Sequence, residues 1–521
     1  MNIFKGTIIT CDKDDNVYKY LVEDEGEIVF TGNELPDIYK NIDITDLKSK
    51  ALIPSFCDSH THFASYAYFA SALDIRNINN FNELETEVKK YVSETNNKYI
   101  FGFGASENSV EEKILVDRSI LDNILNDRPL MLVKYDGHAC ILNTKMLEKL
   151  PKKISKLRGY NRNSGQLFHE AYFAAVDFLS GKVTPLALMR NLQNGIDNLA
   201  RNGISILHTV EGVGFPLDLD VDLVRFAGRG QKNPFQVRVF FQTLDINKVI
   251  KRKLPRIGGC FANALDGCFG SLDAALIQPY TNDSSNKGIL FYEDKEIVDF
   301  TKKANRAGLQ IQLHAIGDAA FKQAVLSLEE ALIDFPRDDH RHSIIHACLA
   351  TDSDLEKCGK SGIAIAAQPS FLHWPLEPFE YIENIIGDRI YNISPYRKML
   401  DMGIRVAGGS DAPCTLPDPI DGIYSVCNHY VPEQSITIQE ALKMFTYEGA
   451  YLSFDEHNRG SLEVDKIADM VILNKNPLIM DPEKLKELKV EELFLSGKKY
   501  KYNQSIPRLI FEGIKGRKKK I

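Results

Sequence analysis

The sequence predicts an α/β protein built around a (β/α)8 barrel of the TIM type, on three observations. From about residue 186 the chain alternates amphipathic helices with short apolar strands. Glycine stands between several predicted helices and the next strand, as at Gly203 and Gly308, which is typical of a helix C-cap in an αβ loop. Histidine or a carboxylate ends several strands. Because the C-terminal ends of barrel strands meet at one mouth, these polar residues would share one site.

Eight predicted strands supply the barrel. The helix predicted at 186–200 has leucine or isoleucine at spacings of three and four residues, which gives it one apolar face. An open doubly wound sheet would show the same alternation, but no Gly-x-Gly-x-x-Gly motif follows the first strand, so the closed barrel is favoured. The predicted strands are 52–56, 204–208, 236–241, 259–262, 309–314, 343–346, 363–367 and 404–407.

Two β-rich stretches at the chain ends predict a second, smaller domain. Their strand patterns cover 8–10, 18–22, 27–30, 469–473, 491–495 and 499–502. An acidic turn at 24–26 suits a hairpin between two of them. We therefore expect residues 1–55 and 450–521 to form one composite β-sandwich, and residues 56–449 to form the barrel. Residues 64–185 do not follow the alternation and predict a subdomain inserted after the first strand.

Composition is typical of a soluble globular protein. Of the 521 residues, 44% are hydrophobic and 26% are charged, so the chain can bury a large core. The net charge of −8 argues against nucleic-acid binding, and the basic run at 515–520 is expected to be a solvated tail. No apolar stretch approaches the ~20 residues that span a bilayer, and the first residues lack a signal-peptide core. Nine cysteines without CxxC spacing predict reduced thiols and a cytoplasmic location. Composition leaves open whether the chain forms a homo-oligomer.

The strongest functional signal is the set of polar residues at the strand ends. His60 and His62 share one face of a strand because side chains alternate with a period of two. Both imidazoles can therefore bind one ion, at N–metal distances of ~2.0–2.1 Å if the ion is zinc. Together with the later strand-end residues they predict a site for one or two divalent metal ions and a small-molecule substrate. Those later residues are Glu211, His314, His346 and Asp411.

Six stretches resemble the amidohydrolase superfamily, and more narrowly its amidohydrolase 3 branch, which includes N-substituted formamide deformylases. The resemblance implies that His60, His62, His314 and His346 bind metal, with zinc expected. It also implies that Asp411 binds metal and accepts a proton from the attacking water. The stretches are PSFCDSHTHF (54–63), FGFGASEN (101–108), DGHACILN (136–143), QLHAIGDAA (312–320), GGSDAP (408–413) and GSLEVDKIADMVIL (460–473).

This chemistry suits hydrolysis of a non-peptide C–N bond in an amide, formamide or cyclic amide. A divalent ion lowers the pKa of water from 15.7 to ~7 and polarises the substrate carbonyl. Asp411 would act as the general base and then deliver the proton to the leaving nitrogen, with His346 as the second catalytic candidate. Two alternatives stay open: a deaminase that attacks an amidine carbon, and a catalytically inactive barrel that binds a small molecule.

One departure from the family pattern bears on the number of ions. Related enzymes often carry a fourth-strand lysine that bridges two metals, a few residues before an Asp-Gly pair. Here GGCFANAL precedes Asp266-Gly267 and contains no lysine. We therefore expect one tightly held ion, unless Glu211 bridges to a second. The alternative for Glu211 is a salt-bridged or helix-initiating carboxylate. Cys57 and Cys260 also lie at strand positions where thiolate ligation is conceivable, but we expect buried apolar thiols.

Three residues are candidates for substrate binding. His138 lies in DGHACILN and resembles a substrate-pocket histidine of the branch, with a hydrogen-bonded structural role as the alternative. Gln368 and Trp374 follow the seventh predicted strand. Trp374 would form a wall of the pocket unless it only packs within the protein.

Overall fold

The computed structural model describes residues 1–182 and 184–516. In chain order its strands are β1 (Asn2–Ile9), β2 (Val17–Asp24), β3 (Glu27–Gly32), β4 (Ile44–Pro54), β5 (Phe56–Thr61), β6 (Leu73–Asp74), β7 (Ile100–Ala105), β8 (Leu130–Lys134), β9 (Ala139–Leu142), β10 (Gln166–Phe168), β11 (Ile204–Glu211), β12 (Gln236–Phe241), β13 (Arg256–Ala264), β14 (Gln310–Ala315), β15 (Ser343–His346), β16 (Ala364–Ala367), β17 (Val406–Gly408), β18 (Met470–Leu473), β19 (Val490–Leu495) and β20 (Lys498–Lys499).

The α-helices surround and connect these strands. They are α1 (Phe63–Phe69), α2 (Phe81–Glu94), α3 (Arg118–Ile124), α4 (Thr144–Leu147), α5 (His169–Ser180), α6 (Pro185–Arg201), α7 (Leu219–Arg229), α8 (Ile246–Lys251), α9 (Asp294–Arg306), α10 (Asp318–Asp334), α11 (Asp352–Lys360), α12 (Phe379–Ile386), α13 (Tyr396–Asp401), α14 (Pro419–Cys427), α15 (Ile438–Met444), α16 (Tyr447–Leu452) and α17 (Ile506–Gly516).

Eight parallel strands form a nearly closed barrel, in the order β17-β16-β15-β14-β13-β12-β11-β5, which confirms the predicted fold class. The seam lies between β17 and β5. The Ser59 hydroxyl donates to the Ala407 carbonyl at 3.1 Å, and the Asp411 amide donates to the His60 carbonyl at 2.8 Å. The seam thus brings the end of the last strand next to the end of the first.

The first barrel strand begins at Phe56 rather than at residue 52. Residues 52–54 belong to β4, where Leu52 faces Ile472 and Pro54 faces Met470 in antiparallel register. The chain then crosses at Ser55, and β5 pairs with β11 in parallel. The prediction of 52–56 as a barrel strand is therefore wrong. The run from 51 to 57 is buried throughout and is mostly apolar, so it carries no signal of the transfer between sheets.

The two chain ends share one seven-stranded sheet, in the order β20-β19-β18-β4-β1-β2-β3. Strand β4 joins the two ends, because it pairs in parallel with β1 and antiparallel with β18. Phe4, Leu21, Leu52 and Met470 from both ends lie in one buried apolar cluster. β2 and β3 form the predicted hairpin. The domain boundaries 1–55, 450–521 and 56–449 stay a prediction.

A five-stranded sheet, in the order β10-β9-β8-β7-β6, lies between the first and second barrel strands in the sequence. It has its own apolar core, which includes Leu84, Val88, Leu121, Leu130 and Ile141. The sheet matches the predicted insertion after the first strand, although the limits of 64–185 stay a prediction.

A helix that the sequence did not predict, α17, packs against α7. It buries Leu509 completely and leaves Phe511 64% exposed. Lys515 of the predicted solvated tail lies in α17, and 517–520 lie outside the described residues. Among the helices of 1–182 and 184–516, we find none that is both long and apolar enough to cross a membrane.

Candidate metal centre

Four side chains converge at the mouth of the barrel: His60, His62, Cys260 and Asp411, whose ligand atoms all lie within 4.8 Å of one another. We call these four the ligand cluster. Asp411 Oδ1 is 3.1 Å from His60 Nε2 and 3.2 Å from His62 Nε2, and the Cys260 sulfur is 3.1 Å from His60 Nε2. A tetrahedral zinc shell with the usual bond lengths has edges of about 3.3–3.7 Å, so the four atoms have nearly the spacing of ligands around one ion.

One carboxylate oxygen of the ligand cluster lacks a partner that would explain its position. Asp411 Oδ1 is buried and has no hydrogen-bond partner, although two ring nitrogens lie close to it. Leaving a carboxylate oxygen buried in this way is costly unless a cation fills the space. Burial lowers the pKa of His60, which keeps the ring neutral, as a metal ligand must be. The residues present therefore fit a divalent cation of the zinc type, which accepts nitrogen, sulfur and oxygen ligands.

His346 and His314 extend the ligand cluster. His346 Nε2 lies 3.8 Å from the Cys260 sulfur, and the His346 and His314 rings are 4.6 Å apart between centroids. Burial lowers the pKa of His346 to about 3 and holds that of His314 well below its usual range, so both rings are neutral. His314 Nδ1 is buried without a hydrogen-bond partner, 3.7 Å from Asp266 Oδ1.

The backbone around these residues is unusual, because three non-glycine residues adopt a positive φ. The values are 69° at His346, 52° at Ala347 and 58° at Asp411. Such conformations cost about 1–3 kcal/mol each and persist only where the surroundings enforce them. At Gly409 a Cβ atom would lie 2.6 Å from the His60 amide nitrogen, so only glycine lets the last strand approach the first this closely.

Asp58 holds together the barrel seam between β17 and β5, next to the ligand cluster. Its carboxylate accepts hydrogen bonds from the Ser410 amide at 3.0 Å, the Ser410 hydroxyl at 2.6 Å and the His60 amide at 3.2 Å. It thereby ties the loop that carries Asp411 to the strand that carries His60. Asp58 is a positioning residue of the centre.

The electrostatics of Asp411 favour the ionised form. Burial by itself raises the pKa of this carboxyl, but the neighbouring His60 and His62 rings hold it well below its usual range. The side chain is only 9% exposed. A buried carboxylate that stays charged is suited to bind a cation or to receive a proton.

Glu211 lies outside the ligand cluster. Its Oε1 accepts hydrogen bonds from the Ala64 amide at 3.0 Å and from the Thr209 hydroxyl at 2.6 Å. Burial first, and then the negative charge of Asp220, raise its pKa well above the usual range. These contacts correspond to the structural alternative for Glu211, and the ligand cluster contains Cys260 instead.

A cleft of about 1250 Å³, with the open solvent at its mouth included, adjoins the ligand cluster. His62, His314, His346 and Asp411 face it, and its other walls are mainly apolar and aromatic. The aromatic residues are Phe69, Phe103, Tyr172, Phe261, Phe269, Phe371, Trp374, Phe379 and Tyr430.

The three predicted substrate residues occupy different places. Trp374 lines the cleft and stacks on Phe371 with 4.7 Å between ring centroids. His138 also lines the cleft, and its Nδ1 lies 2.7 Å from the Asp136 carbonyl oxygen. Gln368 is buried, is not among the residues that line the cleft, and donates from Nε2 to the Ala366 carbonyl at 2.9 Å. The structure therefore shows a backbone contact for Gln368 and does not place it on the cleft wall, and its role in substrate binding stays a prediction.

Comparison with known proteins agrees with this geometry. The sequence profile of the amidohydrolase family matches residues 43–499. The chain belongs to the amidohydrolase family. It is 25% identical over 488 residues to the putative amidohydrolase YtcJ of Bacillus subtilis, covering 87% of this chain and 89% of that protein. It is 22% identical over 548 residues to the N-substituted formamide deformylase of Arthrobacter pascens, covering 95% and 97%.

A solved structure supports the fold of this amidohydrolase independently. An uncharacterized metal-dependent hydrolase from Pyrococcus furiosus superimposes with a TM-score of 0.73 at 24% identity, covering 92% of this chain and 99% of that one. The family match and the fold therefore agree. The resemblance that the sequence motifs indicate is thus confirmed.

The sequence of this amidohydrolase predicts a buried apolar thiol at Cys260, and the structure places that thiol in the ligand cluster. Two signals were present. The residue follows Gly258-Gly259, and it lies on the fourth barrel strand, a few residues before the Asp266-Gly267 pair. Cys57, weighed in the same way, lies elsewhere, 3.8 Å from His208 Nε2. Nothing in the sequence separates these two thiols except the glycines that precede one of them.

Proposed function

We propose that this amidohydrolase hydrolyses a non-peptide C–N bond, in an amide, formamide or cyclic amide, with the help of a divalent metal for which zinc is the best candidate. The observation that carries the proposal is the convergence of His60, His62 and Asp411 on one point beside the cleft. The family membership and the named relatives agree with it.

The metal would be held by His60, His62 and Asp411, with His314 and His346 completing the site. When bound, a divalent cation polarises a carbonyl and makes hydroxide available from water at neutral pH. The soft and nitrogen-rich donor set favours zinc over magnesium or calcium, which prefer oxygen ligands.

Asp411 is the proposed general base. Its carboxylate is ionised, faces the cleft, and is positioned by the Asp58–Ser410 contacts. It would take the proton of the attacking water and deliver it to the leaving nitrogen, a role typically worth 10²–10⁴-fold in rate. His346 also faces the cleft and is neutral, so it is the second candidate for this transfer.

The cleft favours a substrate with a bulky apolar substituent. Trp374, Phe371 and Phe261 offer flat apolar walls against which an aromatic or aliphatic group would pack. Glu377 lines the same cleft, accepts a hydrogen bond from the Tyr135 hydroxyl at 3.1 Å, and has its pKa raised to about 7 by burial. This carboxyl can donate or accept a hydrogen bond near neutral pH, which suits a polar group at the far end of the substrate.

A substrate panel tests the proposal. N-formyl and N-acyl derivatives of benzylamine, hexylamine and glycine, together with the amidine benzamidine, would be incubated with the zinc-loaded protein, and the free acid, amine and ammonia would be quantified. We expect acid and amine from the apolar members and much less from the glycine derivatives. Release of ammonia from an amidine instead would establish the deaminase alternative. No turnover of any amide by protein that holds its metal would contradict the proposal.

A further inference from the structure

We propose that the Cys260 thiolate is a ligand shared by two metal positions, one formed with His60, His62 and Asp411 and the other with His346 and His314. This inference rests on the proposed function, because it assigns a residue of the same centre. It replaces the expected single ion, or an ion pair bridged by Glu211, with a sulfur-bridged pair.

The position of the sulfur carries the inference. The Cys260 Sγ atom lies 3.1 Å from His60 Nε2 and 3.8 Å from His346 Nε2, so it contacts one histidine from each proposed position. The His60 and His346 rings are 5.8 Å apart between centroids, and the sulfur is within reach of both. The two sulfur–nitrogen distances are close to the edge lengths of about 3.3–3.7 Å expected between ligand atoms of one zinc shell.

A second observation points to cations on both sides of the sulfur. Asp411 Oδ1 and His314 Nδ1 are buried ligand atoms without hydrogen-bond partners. One belongs to each proposed position. Buried polar atoms are normally paired, so these two unpaired ligand atoms, one in each proposed position, are candidates to bind a cation.

The chain is shaped locally to present Cys260. In β13, Gly259 pairs with Leu313 and Ala264 with His314, so residues 260–263 form a bulge against β14. Gln242 holds the bulge, because its Oε1 accepts from the amides of Cys260 and Phe261, each at 2.9 Å. Bulges of this kind re-aim side chains next to active sites.

The two glycines before Cys260 make this shape possible. A Cβ at Gly259 would lie 2.3 Å from Gln242 Cγ, and a Cβ at Gly258 would lie 2.0 Å from the Gln312 carbonyl oxygen. Both glycines also have a positive φ, of 150° and 139°. Gln242 is therefore a positioning residue, and the Gly-Gly-Cys sequence brings the thiol to the ligand cluster.

Binding replaces the thiol proton by metal. The S–H bond breaks, sulfur–metal bonds form, and the proton leaves to solvent, so metal uptake releases one proton from this residue. Thiolate ligation selects thiophilic cations such as zinc, cobalt and cadmium over magnesium and manganese. A buried thiol that only packs would show neither effect.

Cobalt(II) is the probe that tests the inference, because a cobalt–thiolate bond gives a near-ultraviolet charge-transfer band that nitrogen and oxygen ligands do not. Full-length wild-type protein, Cys260→Ser and Cys57→Ser would be loaded with cobalt, and absorption and cobalt content per chain would be measured. Cys57 is the matched control, since it is a buried barrel thiol near one histidine but outside the ligand cluster.

We expect the band, and about two cobalt ions per chain, in the wild type and in Cys57→Ser. Cys260→Ser should lose the band, and its affinity for at least one cobalt ion should fall by 10-fold or more. Cys260→Asp should recover the cobalt content without the band, because a carboxylate can bridge through oxygen. If Cys260→Ser does not fold, alkylation of Cys260 in the wild type gives the same answer, since zinc should protect this thiol from iodoacetamide.

Two results separate failure of this inference from failure of the proposed function. Wild-type protein that binds cobalt without a charge-transfer band, or a band that survives in Cys260→Ser, would overturn the shared thiolate and leave the metal-dependent hydrolase intact. Wild-type protein that binds no cobalt, zinc or manganese at any concentration tried would overturn both.

Discussion

Asp411 and Glu211 are both buried carboxylates at the mouth of the same barrel, and their surroundings are opposite. Asp411 Oδ1 has two histidine nitrogens within 3.2 Å but no hydrogen bond, and its pKa is held low. Glu211 Oε1 accepts two hydrogen bonds, and its pKa is raised. The surroundings of Asp411 favour its ionised form and leave Oδ1 without a hydrogen bond, whereas the fold satisfies Glu211 and favours its protonated form.

This difference shows what a strand-end position can and cannot indicate. The barrel brings both residues to one mouth, yet only a side chain whose polar atoms stay unpaired can serve an ion or a substrate. Glu211 fastens the Ala64 amide at the start of α1 to the end of β11. The comparison therefore assigns chemistry to Asp411 and stability to Glu211, and each assignment can be tested.

The largest expected effect belongs to Asp411→Asn. The substitution keeps the shape of the side chain and removes its basicity, so turnover of an amide substrate should fall by about 10²–10⁴-fold. The circular dichroism spectrum and most of the histidine-bound metal should survive. Glu211→Gln is the matched control and should keep turnover within roughly threefold of the wild type. Turnover by Asp411→Asn at the wild-type rate would remove Asp411 as the base and leave His346 to be tested.

Glu211→Ala should change stability rather than metal content. Removing the carboxyl leaves the Ala64 amide and the Thr209 hydroxyl without their acceptor, at about 1–3 kcal/mol for each group. We expect a lower midpoint in urea unfolding and the same zinc content per chain as the wild type. A variant of unchanged stability that loses zinc would reverse the comparison and restore Glu211 as a ligand.

The next effect in size concerns the cleft wall. Trp374→Ala removes the ring stacked on Phe371 and should raise KM for an apolar substrate by roughly 3–10-fold, the equivalent of about 0.5–1.5 kcal/mol. Phe511→Ala, on the exposed side of α17, is the control and should leave KM unchanged. Trp374 is the only tryptophan of the chain, so its fluorescence should also respond to substrate analogues. If the fluorescence does not respond to substrate analogues and the KM of Trp374→Ala is unchanged, Trp374 only packs within the protein.

The smallest effect is a pH dependence carried by Glu211. Its raised pKa means that the folded protein keeps a proton which the unfolded chain releases above the ordinary glutamate pKa of about 4.3. The contribution of Glu211 to the free energy of unfolding is therefore complete below the ordinary glutamate pKa, and it is lost as the pH rises toward the raised pKa of the folded protein. Glu211→Gln has no such proton, so its Tm should improve relative to the wild type as the pH rises above about 4.3. Parallel Tm curves for the two proteins would show that Glu211 is not protonated in the fold.

Much of this structure could be predicted from the sequence, because the spacing of apolar residues and the glycines between elements report on local structure. The helix and strand alternation from residue 186 onwards predicts the barrel, and the strand ends predict where His60, His62, His314, His346 and Asp411 lie. The prediction of a barrel strand at 52–56 is wrong, because a buried apolar run fits either of the two sheets. The helix α17 was not predicted, because the basic residues that follow it make the end of the chain resemble a solvated, charged tail.

The parts of the site that could not be predicted depend on contacts between distant residues. Whether Glu211 is a ligand depends on Ala64 and Asp220, and whether Cys260 is one depends on a bulge held by Gln242. Neither contact leaves a periodic trace in the sequence. Residue type and strand position identified the candidates, and only the three-dimensional partners separate ligands from structural residues.

Metal content is the most direct test of the central claim that the ligand cluster, and not Glu211, forms a metal site. Zinc per chain would be measured after equilibration in excess zinc and desalting, for the wild type, Glu211→Gln and the double variant His60→Asn/His62→Asn. We predict equal zinc in the first two proteins and at least a tenfold weaker retention in the double variant. Zinc that stays in the double variant, or that leaves with Glu211→Gln, would contradict the account.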